Sequence, residues 1–323
     1  MQRRLLITAA ASLPLARPRA QGFPDRPIRL IVPFAAGGNA DTVARILAPR
    51  LQERLGQPVV VENRPGAGGS LGAEVVARAR ADGHTLLIGS NGPLSVNPVV
   101  QARLPYDPAR DLQPIGMAMQ VPHCLMVQPT APWQELRQLI AASRAAPDTL
   151  GVGTAGVASA THLALEAFKA ASGARLLHVP YRGGGAALPD FLAGNVPILF
   201  TEFSTALPIH RDRRGRMLAV AAAARLPAAP EVPTMAEAGV PGFTAASYVG
   251  LVGPAGLPAP VLATLAGAFA AIVAEEEFRA RMAALGGEAA PPALATPGGF
   301  AAFIAEDLAR SRAAAEAAGI RPE

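Results

Sequence analysis

Three short apolar runs in the first hundred residues, separated by stretches with helical spacing, set the reading of this chain. Ile28-Arg29-Leu30-Ile31-Val32 is rich in β-branched residues and predicts a strand; behind it Asp41 opens a helix whose Val43, Ile46, Leu47 and Leu51 recur at helical spacing. Val59-Val60-Val61 predicts a second strand, residues 70–80 a second helix, and Thr85-Leu86-Leu87-Ile88-Gly89 a third strand. Such a βαβαβ series implies a parallel sheet covered on both faces. A proline-studded passage over 93–114 follows, and residues 115–120 and 125–128 read as extended crossing strands. A second α/β series then starts with a helix after Trp133 and continues through strand 150–153, helix 161–171, strand 176–179, helix 186–193 and strand 196–200, with strand 217–222 leading back. The last third predicts a strand at 247–252 and alanine-rich helices near 259–274, 276–285 and 298–318. The pattern is that of two α/β lobes without an internal sequence repeat.

The junction after the first strand carries the chemistry. Phe34, Gly37, Gly38, Asn39 and Asp41 join a strand to a helix N-terminus. Glycines let the backbone come close to a ligand, and first-turn N–H groups, unpaired within the helix, point at whatever lies above them, so the segment is an anion cradle. Any α/β loop also needs glycine to turn, and the same residues fit that plain role. The stretch Thr154-Ala155-Gly156-Val157-Ala158-Ser159 repeats the arrangement, with Ser159 or Ala160 as helix cap. Thr154 and Ser159 fit a role limited to turning and capping equally well.

Six segments, in order, resemble the tripartite tricarboxylate transporter solute receptors, also called Bug-type periplasmic binding proteins. They are residues 33–45 (PFAAGGNADTVAR), 61–73 (VENRPGAGGSLGA), 153–163 (GTAGVASATHL), 178–183 (HVPYRG), 232–239 (VPTMAEAG) and 253–260 (GPAGLPAP). The resemblance implies an α/β, two-lobed periplasmic-binding-protein-like (type II) fold with the ligand cleft between the lobes. It also implies that the C-terminal helices return to the first lobe, which places that lobe at 23–124 plus 224–323 and the second at 125–223. Phe34, Gly38 and Asn39 then line the ligand from one lobe, and Thr154, Ala155, Gly156, Val157 and Ser159 from the other; Asp41, which opens the first helix, is a further candidate. Ser90 and Asn91, at the end of the third strand, are further candidate donors, and Tyr181 a candidate for the second-lobe wall.

Two facing helix ends suit a small carboxylate better than a sugar, which wants aromatic platforms; the chain has one tryptophan and three tyrosines. The chain departs from the family at Ala36, where proline is common, at Ala158, where glycine is common, and at Thr201-Glu202-Phe203, where an Asp-Asn pair often follows the strand. Glu202, if it faces the cleft, attracts an amine or hydroxyl of the ligand; a loop acid or internal cap is the alternative.

Composition narrows the rest. Residues 1–20 read as a signal peptide, with Arg3 and Arg4 before a short apolar run, which predicts export to the periplasm by the Sec or the twin-arginine route. The formal charge of +5 falls to about +1 once the four arginines of that segment are removed, and no basic run is interleaved with aromatics, so nucleic acid is not an expected partner. Cys124 is the only cysteine, which excludes an internal disulfide. The five histidines are dispersed without metal-ligand spacing, neither a P-loop nor a G-x-S-x-G elbow occurs, and residues 66–72 fail the dinucleotide spacing at Leu71. The expectation is a monomeric receptor that binds a small carboxylate without chemistry, metal or cofactor and presents it to integral-membrane transporter subunits. A ligand-sensing partner of a membrane kinase, or an exported α/β enzyme, are the alternatives.

Overall fold

β1 (Ile28–Val32) is buried at every residue except Arg29, because strands pair with it on either side and helices cover it. This computed structural model describes residues 22–320; the expected signal peptide lies outside them. α1 (Asn39–Leu55) leads to β2 (Val59–Asn63), and a 3₁₀ turn with α2 (Ser70–Ala77) leads to β3 (Thr85–Ser90). Both flanking strands run parallel to β1, with Leu30 opposite Val61 and Leu86. Val43, Ala44, Leu47 and Leu51 form the buried stripe of α1. The passage from 92 to 111 is compact, a π-helical turn at Gly92–Val96 followed by the short α3 (Asn97–Val100) and α4 (Pro108–Asp111).

The crossing is made by one strand. β4 (Leu112–Val127) runs unbroken through Pro122 where the sequence suggests two extended pieces. Its first part pairs antiparallel with β9 (Ala246–Pro254), which also pairs with β3. From His123 onward β4 pairs instead with β7 (Ile198–Glu202) and β8 (Arg216–Val220). Proline has no N–H to give to a ladder, so Pro122 fits at the point where β4 exchanges partners.

The second part is built from α5 (Leu136–Ala145), β5 (Gly151–Thr154), α6 (Ala160–Ser172), β6 (Leu177–Pro180) and α7 (Gly184–Ala193) around β7. β5 and β7 run parallel, as do β5 and β6. α8 (Phe203–Arg211) follows β7 directly and has no counterpart in the sequence reading. α9 (Ala259–Ala274), α10 (Glu276–Ala284), the two-residue β10 (Glu288–Ala289) and α11 (Pro297–Ala317) return to the first part, where Phe269, Phe278 and Phe300 are fully buried. The whole sheet reads β2-β1-β3-β9-β4-β7-β5-β6, with β8 and β10 added on β4.

Two apolar cores flank the crossing. The first holds Ile28, Leu47, Ile88, Tyr248 and Phe269; the second holds Leu139, Leu165, Phe168, Phe200 and Met235. Residues 233–245 pack with the second core: Met235 N donates to Val220 O at 2.8 Å, and Ala245 N to Ala221 O at 3.0 Å. The molecule is therefore two-lobed, with a cleft bridged at its base by β4 and by the return of the chain near 221–246.

Candidate functional site

Four helices begin at one place between the lobes, and each does so for a local reason. In the first loop Asp41 turns back rather than outward. Its Oδ2 accepts from Gly37 N at 3.0 Å and Arg45 Nε at 2.9 Å, and its Oδ1 from Asn63 Nδ2 at 3.0 Å. Asn63 Nδ2 also donates to Phe34 O at 3.0 Å, so the loop is tied to β2. Burial pushes the Asp41 carboxyl up, but the hydrogen bonds from Arg45, Gly37 and Asn63 outweigh it and hold the group below its ordinary 3.8. The tie is complete above the unfolded value and is lost as pH falls through the lower folded one. Asp41→Asn is thus expected to melt below wild type at neutral pH, with the gap closing under about pH 4 as wild type loses its charge; a constant gap across a pH series of melts would remove this role. Freed by that brace, the start of α1 presents Gly38, Asn39 and Ala40 to the cavity.

The second loop is braced the same way. Thr154 is buried, with its Oγ1 accepting from Gly156 N at 3.2 Å and paired with His178 Nε2 at 2.7 Å. Ala155 N donates to Thr161 Oγ1 at 2.9 Å, and Ser159 Oγ caps α6 by accepting from His162 N at 3.2 Å. Ala158 takes the left-handed conformation at φ 61°, and its N donates to His162 Nδ1 at 3.2 Å. Gly156, at φ 121°, lies so near Tyr181 O that a Cβ there would collide with it. Ala155 and Ser159 reach the cavity; Thr154, Gly156, the exposed Val157 and Tyr181 do not line it. Tyr181 spends its hydroxyl on Asp190 Oδ2 at 2.8 Å and lays its ring on Gly153.

The sequence predicts a helix at 186–193 without assigning its start to the site, and it predicts no helix directly after Glu202. α7 starts from Gly183-Gly184-Gly185, which lies against the first loop: Ala35 N donates to Arg182 O at 3.0 Å across the cleft. Gly184 lines the cavity. The triple glycine at the end of the HVPYRG segment was the available signal. α8 starts from Glu202 at its N-cap, and its Ser204 Oγ donates to Asn39 Oδ1 at 2.9 Å, a second contact across the cleft. Pro208 inside this helix and the β-branched Thr201 and Thr205 hid it.

Between these ends lies a small cavity of about 30 Å³, against the ~10–15 Å³ that one water requires. Ser90 lines it, and the Ser90 Oγ is buried without a hydrogen-bond partner among the described residues. Asn91 does not line it. Its Oδ1 accepts from Tyr248 N at 2.9 Å and its Nδ2 donates to Asp307 Oδ2 at 3.0 Å, so it fixes the wall that Tyr248 forms. Glu202 lines the cavity with Oε1 accepting from Ser247 Oγ at 3.3 Å and Oε2 from Thr201 Oγ1 at 3.2 Å; burial pushes its carboxyl up. Behind Ser247 lies His123, Nε2 to Oγ 2.8 Å, which burial lowers to about 3 and so keeps neutral. A larger groove of about 980 Å³ lies beyond the Ser247 and Tyr248 wall, lined by apolar residues such as Leu163, Ala221 and Phe243 and also by the charged Glu288, Asp307 and Arg310. It lacks the convergent helix ends of the smaller space, which is therefore the better candidate site.

Cys124 points away from His123 into the core, fully buried, and burial together with the nearby Glu202 pushes its thiol up. The native thiol is expected to resist an aromatic disulfide reagent until the chain is unfolded; fast modification of native protein would show an accessible thiolate. Among the described residues no group of three or more His, Cys, Asp or Glu could hold a metal ion.

Comparison with known proteins places similar architectures beside this one. Residues 43–320 match the family described as Tripartite tricarboxylate transporter family receptor. The periplasmic binding protein BugD is 32% identical, covering 93% of this chain and 100% of its own, with a TM-score of 0.89. Rpa4515 of R. palustris, solved with adipate, is 33% identical with the same coverage and a TM-score of 0.89. MatC (Rpa3494) from Rhodopseudomonas palustris, solved with bound malate, is 32% identical over 90% of this chain and 99% of its own, with a TM-score of 0.86.

Proposed function

Because the chain belongs to the tripartite tricarboxylate transporter receptor family, we propose that it captures a small organic carboxylate between its lobes in the periplasm and delivers it, as a monomer, to integral-membrane transporter subunits. The observation that carries this reading is the convergence of the N-termini of α1, α6, α7 and α8 on one cavity. Each end contributes about 0.3–1 kcal/mol to an anion, and up to about 2 where partly buried. Four together give about 1–4 kcal/mol, and at most about 8 where all are partly buried, without a lysine or arginine in the lining; a micromolar complex needs ~8 kcal/mol, so the ligand's other contacts supply the remainder. The adipate and malate held by Rpa4515 and MatC support a carboxylate.

In this reading Phe34, Gly38, Asn39, Ser90, Ala155, Ser159 and Glu202 meet the ligand. Asp41, Asn91, Thr154, Gly156, Val157 and Tyr181 hold the loops and walls. The lobes divide near 122–123 and again near 245, since the hydrogen bonds of residues 233–245 to β8 favour extending the second lobe beyond 223. Native mass spectrometry of protein purified without added ligand tests the function: a co-purifying carboxylate supports it, and a neutral sugar or a turned-over product in its place would overturn it.

A further inference from the structure

The cavity is electrically two-sided. The helix ends make one side favourable to an anion, and among the described residues Glu202 is the only charged side chain in the lining. The groups around Glu202 are arranged to keep it an acceptor. Neutral His123 carries one ring proton, and placing it on Nε2 leaves only a lone pair at the buried, unpartnered Nδ1. His123 Nε2 then donates to Ser247 Oγ, which leaves the Ser247 hydroxyl hydrogen for Glu202 Oε1, while Thr201 Oγ1 donates to Oε2. Both carboxylate oxygens thus accept from hydroxyls, and the first turn of α8 adds its positive end. Burial opposes the charge on Glu202 and a ligand ammonium beside it would offset that cost, whereas a second carboxylate would meet a like charge in a water-poor space, where repulsion is far stronger than in solvent.

We propose that Glu202 is the specificity-determining residue of this site and that it selects a short zwitterion, with the ligand carboxylate on the helix ends and a protonated amine against Glu202. The inference rests on the carboxylate-receptor reading above and narrows its ligand class. An ammonium group has three donors, which suits a carboxylate whose oxygens keep lone pairs free after accepting from Ser247 and Thr201.

Thermal shift and calorimetry on wild type and Glu202→Gln test it, with glycine, L-alanine, β-alanine and 4-aminobutyrate set against succinate, malate, lactate and adipate. The amide of glutamine is isosteric with the carboxylate it replaces, so the cavity shape is kept. Wild type is expected to bind its best amino carboxylate at least about tenfold tighter than any probe lacking the amine, and Glu202→Gln to lose about 30-fold or more for that ligand while gaining on succinate. A wild type that prefers succinate, malate, lactate or adipate overturns the proposal whether or not the variant folds. An unchanged rank order in folded Glu202→Gln overturns it too, and in both cases the carboxylate receptor stands. Absence of a shift with every probe would remove the receptor reading and this one with it.

Discussion

Gly185→Val is expected to cost about 100-fold or more in affinity for the carboxylate that stabilises wild type most, while each lobe stays folded. Gly185 lies in the first turn of α7 with ordinary helical backbone, so a side chain there does not strain its own lobe. Across the cleft it meets the first loop. A Cβ would stand 2.7 Å from Gly38 N and 2.8 Å from Gly37 C, and closer still to Ala36 O. Those are backbone atoms tied down through Asp41 and Asn63, so they cannot swing aside as a flexible side chain would. Overpacking of this kind costs about 1–3 kcal/mol for a methylene, and the two methyls of valine raise it further. The variant escapes the cost by leaving the lobes apart, which separates the helix ends of α1 and α7 and dissolves the site. Calorimetry should show the loss, and small-angle scattering of ligand-saturated protein should show wild type more compact than Gly185→Val. Gly38→Val is expected to act in the same direction, since a Cβ there would lie 3.2 Å from Gly185 N. Wild-type affinity in folded Gly185→Val would mean that this contact is not part of the bound state.

What the sequence made legible was local. β1 and the two glycine-bearing loops could be read because a β-branched run, a turn and a helical period follow one another within a few residues. The receptor architecture followed from six ordered segments. What stayed hidden was the use to which polar side chains are put, because their partners are remote: Asn91 and Tyr248 are 157 positions apart, and Thr154 and His178 are 24 apart. A strand-end Asn or Thr looks like a ligand donor until the atom it already serves is known. Asp41 illustrates the point within one turn of helix, as its carboxylate shapes the anion cradle by facing inward. α8 was invisible for a different reason. Its helical period is short and holds Pro208, yet packing of Phe203, Ala206 and Leu207 into the core overrides that propensity.

Adjacent residues at the end of β3 are expected to separate stability from binding. Asn91 is 5% exposed and its whole amide is committed: Oδ1 to Tyr248 N, Nδ2 to Asp307 Oδ2 and, at 3.5 Å, to Ala246 O. Asp307 also accepts from Ser95 Oγ at 2.5 Å, and the Tyr248 ring stands edge-on to Phe300 and Phe303, so Asn91 joins β9 to α11. Asn91→Ala leaves a buried N–H unpaired and a buried carboxylate short of a donor, at about 1–3 kcal/mol for each. A loss of about 3 kcal/mol corresponds to a midpoint lower by roughly 5–10 °C for a chain of this size. Ser90 is the opposite case. Its Oγ has no partner among the described residues and faces the cavity, so removing it takes away a hydroxyl that the fold does not use. Ser90→Ala is expected to melt at or slightly above wild type and to lose about 3–10-fold in affinity, the worth of one hydrogen bond. Thermal melts without ligand and calorimetry with the tightest-binding carboxylate give both numbers for both variants. Ser90→Ala with full affinity would take the third strand out of the ligand site, and Asn91→Ala with wild-type stability but weakened binding would return Asn91 to it.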